Sequence, residues 1–161
     1  MNTLHRHRLF RLGTLTALAL LAVAGLVRAQ EEDAAAQKAR LKKLDDGPKK
    51  IDVSTYPKDM QAGYALLAGK CVKCHTLARP INSRFVLPDE WQRYIKRMVF
   101  KPDSKMTEDE GKTIYRFLVY DSSVRKADSL RTRLGRLSHE ESESAIAKIK
   151  AINPAFEFAG K

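Results

Sequence analysis

Cys71-Val72-Lys73-Cys74-His75 constrains this chain more than any other stretch. Two thiols three positions apart lie on one turn of backbone, and the histidine follows directly. A porphyrin with two vinyl groups suits that arrangement. Each thiol adds across one vinyl, and the imidazole swings under the ring as the proximal ligand of its iron. Val72 and Lys73 supply only spacing. The motif therefore reads as an attachment site for one covalent haem c, with Cys71 and Cys74 as anchors and His75 as metal ligand. A structural zinc site needs four ligands, and the chain has two cysteines and four histidines, with His5 and His7 in its basic start. A redox thiol pair would follow a strand in a βαβ pattern, whereas helical periodicity surrounds this motif.

The N-terminus points the same way. Met1 to Arg11 carries Arg6, Arg8 and Arg11 and no acid, and Leu12 to Val27 is uncharged. Val27-Arg28-Ala29 places small residues at the −3 and −1 positions of a signal-peptidase site. Residues 1–29 are thus expected to be a signal peptide directing the chain to the periplasm, where haem is attached after export. An uncleaved membrane anchor is the alternative, although the run is shorter than the ~20 apolar residues a spanning helix needs.

Charge bounds the partners. The leader holds four of the 30 basic residues and none of the 19 acids, so the remainder carries 26 cations against 19 anions, a net charge of +7. Without a nucleic-acid motif, such a chain is expected to meet acidic protein surfaces or anionic lipid rather than nucleic acid.

Residues 30–55 read as a polar lead-in or linker: Glu31 to Leu44 is helix-prone with little apolar face, and Asp45-Asp46-Gly47-Pro48 breaks it. The core is expected over 56–120. A helix from Lys58 runs into Cys71 with Met60, Tyr64 and Leu67 on one side. Pro88-Asp89-Glu90 opens a second helix, with Trp91, Tyr94, Ile95, Met98 and Val99 at helical spacing. Thr107-Glu108-Asp109-Glu110 is a capping box ahead of Ile114, Tyr115, Phe117 and Leu118. The fold class is all-α.

Helix, Cys-x-x-Cys-His, a middle helix with a tryptophan and a last helix with an aromatic-Leu pattern together resemble the class I monohaem cytochrome c family. Trp91 to Met98, followed by Thr107 to Glu110 and Ile114 to Leu118, is similar to small bacterial cytochromes with a Trp-to-Arg-Met helix. The resemblance covers about 56–120. It implies a close crossing of the first and last helices, with Gly63 and the Tyr115/Phe117 region at the matching positions. It also implies an electron carrier, without substrate turnover, that serves redox protein partners or docks in a respiratory or dehydrogenase complex. A haem protein with an open distal site, sensing a gas or reducing peroxide, is the rival reading.

The sixth iron ligand is sought among Met98 and Met106. Met106 precedes the Thr107 cap, where an apolar side chain tucks under the helix start. Met98 lies nearer to where class I cytochromes place the ligand and is favoured, with core filling as its ordinary role. His139 or an open position are the outsiders. The Pro80 carbonyl is expected to accept from the free ring nitrogen of His75. Trp91 either donates its indole N–H to a haem propionate or walls the pocket. Arg79 and Arg84 read chiefly as solvated surface. Residues 121–161 are expected to form a helical extension, Val124 to Leu137 and Ser138 to Ile152, packed on the core or offered to a larger complex.

Overall fold

The computed structural model describes residues 30–72 and 75–158; the expected leader at 1–29 and Cys74 lie outside them. Every regular element among the described residues is a helix, so the protein is all-α. The chain divides into two compact units, 1–43 and 44–161. Helix α1 covers residues 30–45, and its side chains from 30 to 40 are exposed, as its charged, alanine-rich composition demands.

The expected lead-in does not extend to residue 55. Leu44 onward belongs to the second unit, because its backbone polar groups are satisfied there. The Asn82 amide donates to the carbonyls of Leu44 and Pro48, both at 3.0 Å, and the Ile51 N–H donates to the Tyr64 hydroxyl at 3.3 Å. A Cβ on Gly47 would collide with the Asn82 amide. Glycine at this turn leaves the Asn82 amide its place on the Leu44 and Pro48 carbonyls.

Helix α2 (Lys58–Cys71) buries Met60, Gly63, Leu67 and Cys71, a stripe at intervals of three and four. Helix α5 (Glu108–Val124) crosses it at the glycine. A Cβ on Gly63 would lie 2.8 Å from the Phe117 Cβ and 3.4 Å from the Thr113 carbonyl oxygen, so the two backbones meet as closely as they do only without one. Thr107 and Glu110 start α5 reciprocally: Thr107 Oγ1 accepts from the Glu110 N–H at 3.2 Å, and the Glu110 carboxylate accepts from the Thr107 N–H at 2.9 Å.

Between them lie the short α3 (Ala78–Asn82) and α4 (Pro88–Val99). Proline at the first position of α4 forfeits only a donor that would have been orphaned. The Glu90 carboxylate then collects the N–H groups of Val86 and Leu87 at 2.9 and 3.0 Å. Trp91 and Ile95 are buried one turn apart, and Gly111 on α5 leaves room for Ile95 and Val99.

Helices α6 (Ala127–Leu134) and α7 (His139–Lys150) complete this unit rather than extend it. The expected boundary at Tyr120 falls inside α5, which continues to Val124. Leu130, Leu134, Ile149 and Phe156 are almost fully buried, and each contributes about 1.5–3 kcal/mol by leaving water. Ala145 and Ile149 of α7 are likewise buried, so the extension is packed on the protein's own core.

The C-terminal half of α5 anchors a polar network. Buried Asp121 accepts from the Tyr56 hydroxyl at 3.0 Å and from Arg125 at 2.9 and 2.6 Å. Arg125 also donates to the Ile81 carbonyl. Trp91 donates its indole N–H to Ser122 Oγ at 2.8 Å, and Asn153 donates to Ser123 Oγ at 2.9 Å. Lys126 lies 5.2 Å from the Trp91 ring centre and donates to the Ser83 carbonyl at 2.7 Å. Burial, with Arg125 adding repulsion, pushes its ammonium down to about 8.

Candidate haem-attachment site

Cys71 is the last residue of α2 and is buried by the packing of its helix, while Val72 beside it stands 55 % exposed. The chain then turns through His75 into α3. The His75 Nδ1 lies 2.9 Å from the Thr76 carbonyl oxygen. A carbonyl only accepts, so this geometry puts the ring proton on Nδ1 and leaves the lone pair on Nε2. That tautomer leaves Nε2 able to bind a metal. The acceptor is thus Thr76 and not Pro80, whose side chain is buried within α3.

Two methionines approach from elsewhere. Met98 comes from the last turn of α4, and Met106 from the residue before the α5 cap. Both border, with Cys71 and His75, one cavity of about 20 Å³ whose rim holds Lys70, Lys101 and Ser104. Met106 does tuck under the start of α5, within 4.0 Å of where a Gly111 Cβ would stand. It nevertheless faces the same cavity as Met98, so position alone does not separate the two thioethers. His139 is exposed at the start of α7 and does not border this cavity.

The α4–α5 connection that carries Met106 is unusual. Asp103 and Lys105 adopt φ of 67° and 47°, the left-handed region that side chains disfavour. Ser104 Oγ holds the loop by donating to the Val99 carbonyl and accepting from the Met106 N–H. Lys70 ties it to α2, donating to the Lys105 carbonyl at 3.3 Å and pairing with Glu110 at 2.7 Å.

The donor chemistry here fits covalent haem: a thiol, an imidazole in the right tautomer and two thioethers around one space. Tyr94 adds a further sign. Its hydroxyl is buried with no hydrogen-bond partner, and burial, reinforced by Cys71, pushes its ionisation up. A buried hydroxyl left unpaired costs about 1–3 kcal/mol, so this is a polar group in want of an acceptor beside the cysteine motif. Size is the condition. A cavity of 20 Å³ is about that of one water, so the residues fit haem by their donor chemistry and the space between them would have to enlarge to admit a porphyrin.

The remaining sequence candidates fall elsewhere. Trp91 is fully buried, with its indole N–H donated to Ser122 and its ring edge-on to Phe85 and Tyr94. It is a core residue, and the propionate-donor reading is overturned because that hydrogen is already used. Arg84 is exposed as expected. Arg79 is not free surface: it makes a two-pronged pair with Asp45, Nη2 to Oδ2 at 2.8 Å and Nε to Oδ1 at 3.0 Å. Asp45 also accepts from the Thr76 hydroxyl at 2.5 Å. Asp45, Thr76 and Tyr94 are site residues that the sequence does not announce. Asp45 reads as a helix breaker 31 positions from Thr76, and Tyr94 reads as one more apolar face residue. Only their tertiary neighbours reveal them.

Among the described residues no three His, Cys, Asp or Glu side chains are grouped to hold a metal ion, and no helix is long and apolar enough to cross a membrane. Set against protein-family models, curated proteins and solved structures, the chain finds no match.

Proposed function

We propose that this protein is an exported c-type cytochrome carrying one covalent haem and passing single electrons, with no substrate turnover of its own. One observation carries the reading: Cys71, His75 and the thioethers of Met98 and Met106 converge on a single cavity. Haem, when bound, supplies an iron that cycles between Fe(III) and Fe(II). The chain's own residues do the rest. Cys71 and Cys74 anchor the group, His75 offers Nε2 as proximal ligand, and a thioether, Met98 in preference, offers the sixth. Tyr94 holds a hydroxyl ready to donate. The Gly63–Phe117 contact supports a class I cytochrome c-like core, since the resemblance implies a crossing of this kind.

Arg97, Lys101 and Lys105 are exposed next to this end of the molecule. Such a basic face favours acidic redox partners and speeds encounter at low salt. The uncharged run before Ala29 supports delivery to the periplasm, either cleaved or retained as an anchor.

The optical spectrum of the purified protein tests the reading. Colour should stay with the polypeptide through acidified organic extraction, and the oxidised form should show a weak sulfur-to-iron charge-transfer band. Met98→Ala should abolish that band and admit cyanide. Met106→Ala should keep the band and lose about 2–5 kcal/mol of packing. Exchange of these two results would assign the sixth position to Met106. A haem protein without the band in its native form would be an open-site protein instead of a carrier, and extractable colour would defeat covalent attachment.

A further inference from the structure

We infer that Asp45, outside the cysteine motif and at the end of α1, is the positioning residue for His75. The inference rests on the haem reading and deepens it. The His75 Nδ1–H is held by the Thr76 carbonyl at 2.9 Å, so the orientation of the Thr76 residue decides the rotation of the imidazole about its Cβ–Cγ bond. Two contacts fix Thr76. Its hydroxyl donates to Asp45 Oδ1 at 2.5 Å, and its carbonyl accepts the Arg79 N–H at 3.3 Å. Asp45 controls both, because its two carboxylate oxygens also take the Arg79 guanidinium at 2.8 and 3.0 Å. The carboxylate thus clamps the first and last residues of the Thr76–Arg79 turn.

Electrostatics act along the same line. A carboxylate placed behind the peptide that binds a ligand imidazole makes that ring a stronger donor to the metal. Asp45 remains ionised at any ordinary pH, since Arg79 first and then the Thr76 hydroxyl hold its carboxyl down to about 2. Its negative charge offsets that of Arg79, and without it the uncompensated guanidinium would disfavour the more positive oxidation state of an iron held by His75. The clamp therefore both aims the ligand and lowers the potential.

The test compares the haem-loaded wild type with Asp45→Asn and Thr76→Val. Asp45→Asn keeps the shape of the side chain and removes the charge. Its reduction potential should shift to more positive values, and the paramagnetically shifted His75 ring protons should move in the oxidised NMR spectrum. Thr76→Val cuts the hydroxyl link but keeps the carboxylate and the carbonyl. It should move the ring protons while shifting the potential less. Asp59→Asn removes an equally negative, 63 % exposed side chain at the start of α2 and should change neither. If Asp45→Asn leaves potential and ring protons at wild-type values, the inference is overturned and the haem reading stands. It is equally overturned if the change lowers thermal stability alone, because Asp45 is then only a structural clamp. If the wild type carries no covalent haem, both readings fall together.

Discussion

The two ends of α5 are finished to different degrees. At the C-terminal end every strong polar group described has its match: Asp121 holds Tyr56 and Arg125, Trp91 holds Ser122, and Asn153 holds Ser123. At the N-terminal end, towards Cys71, a tyrosine hydroxyl is buried without a partner, two non-glycine residues are left-handed, and four ligand-type side chains ring a cavity. Folding alone accounts for the first end. The second carries destabilising features that folding does not offset, and such features cluster at functional sites. The contrast marks the same end of α5 as the cysteine motif, with Tyr94 and the left-handed Asp103 and Lys105 as features outside that motif.

The largest effect that would sharpen this contrast is at Asp121. Asp121→Ala leaves the Tyr56 hydroxyl and part of Arg125 without their acceptor, and should cost about 3–5 kcal/mol in urea denaturation. A loss below about 1 kcal/mol, the range of an exposed ion pair, would mean the network is ornamental and the contrast is weaker than drawn.

Lys126 gives a pH signature at the finished end. Its folded pKa, about 8, lies below the ordinary value of 10.5. The unfolded chain therefore binds the extra proton between these values, and stability rises with pH across that window. The contribution should be on the order of 1–3 kcal/mol once the window is crossed, after allowance for its partial exposure. Lys126→Met should flatten this part of the stability profile. A wild-type curve that falls across the window no less steeply than the variant's would show that the ammonium is not held at a disadvantage.

Ser122→Ala and Tyr94→Phe form a matched pair of smaller changes with opposite signs. Removing Ser122 Oγ orphans a buried indole N–H and should cost about 1–3 kcal/mol. In the haem-free Cys71→Ala/Cys74→Ala chain, Tyr94→Phe removes a hydroxyl that has no partner. It should be neutral or stabilising by up to about 1 kcal/mol. Both are read from thermal or denaturant unfolding. If Tyr94→Phe destabilises the haem-free chain by as much as Ser122→Ala does, the two ends are alike and the comparison breaks.

Local signals carry much of the fold. The stripe of α2, the proline start of α4 and the capping boxes at Thr107 and Ser138 lie within a few residues of the helices they define, so each is readable in the sequence and each is present. The Gly63 crossing is legible only through resemblance. What escapes the sequence depends on distance. The boundary at Tyr120 fails because nothing local tells an amphipathic helix whose core it joins, and Leu130 and Ile149 join that of α4 and α5. At the site, Cys71, His75 and both methionines can be named from their side-chain chemistry. The roles of Trp91 and Asp45 cannot, because their partners, Ser122 and Thr76, are 31 positions away in each case. A hydrogen bond of that span leaves no periodic trace.

The burial of Cys71 has a consequence for timing. At 6 % exposure its thiol is covered once α2 rests on α5, so any enzyme that modifies it has to act earlier. The capping boxes make such an interval natural. Helices α5 and α7 each begin on a start signal contained in four consecutive residues, and helix growth from a formed nucleus takes about nanoseconds per residue. These helices need not wait for the cysteine segment. Under the proposed haem attachment, the last step of maturation would be the closing of α2 over a thiol already alkylated, so that modification and final fold would be one irreversible commitment.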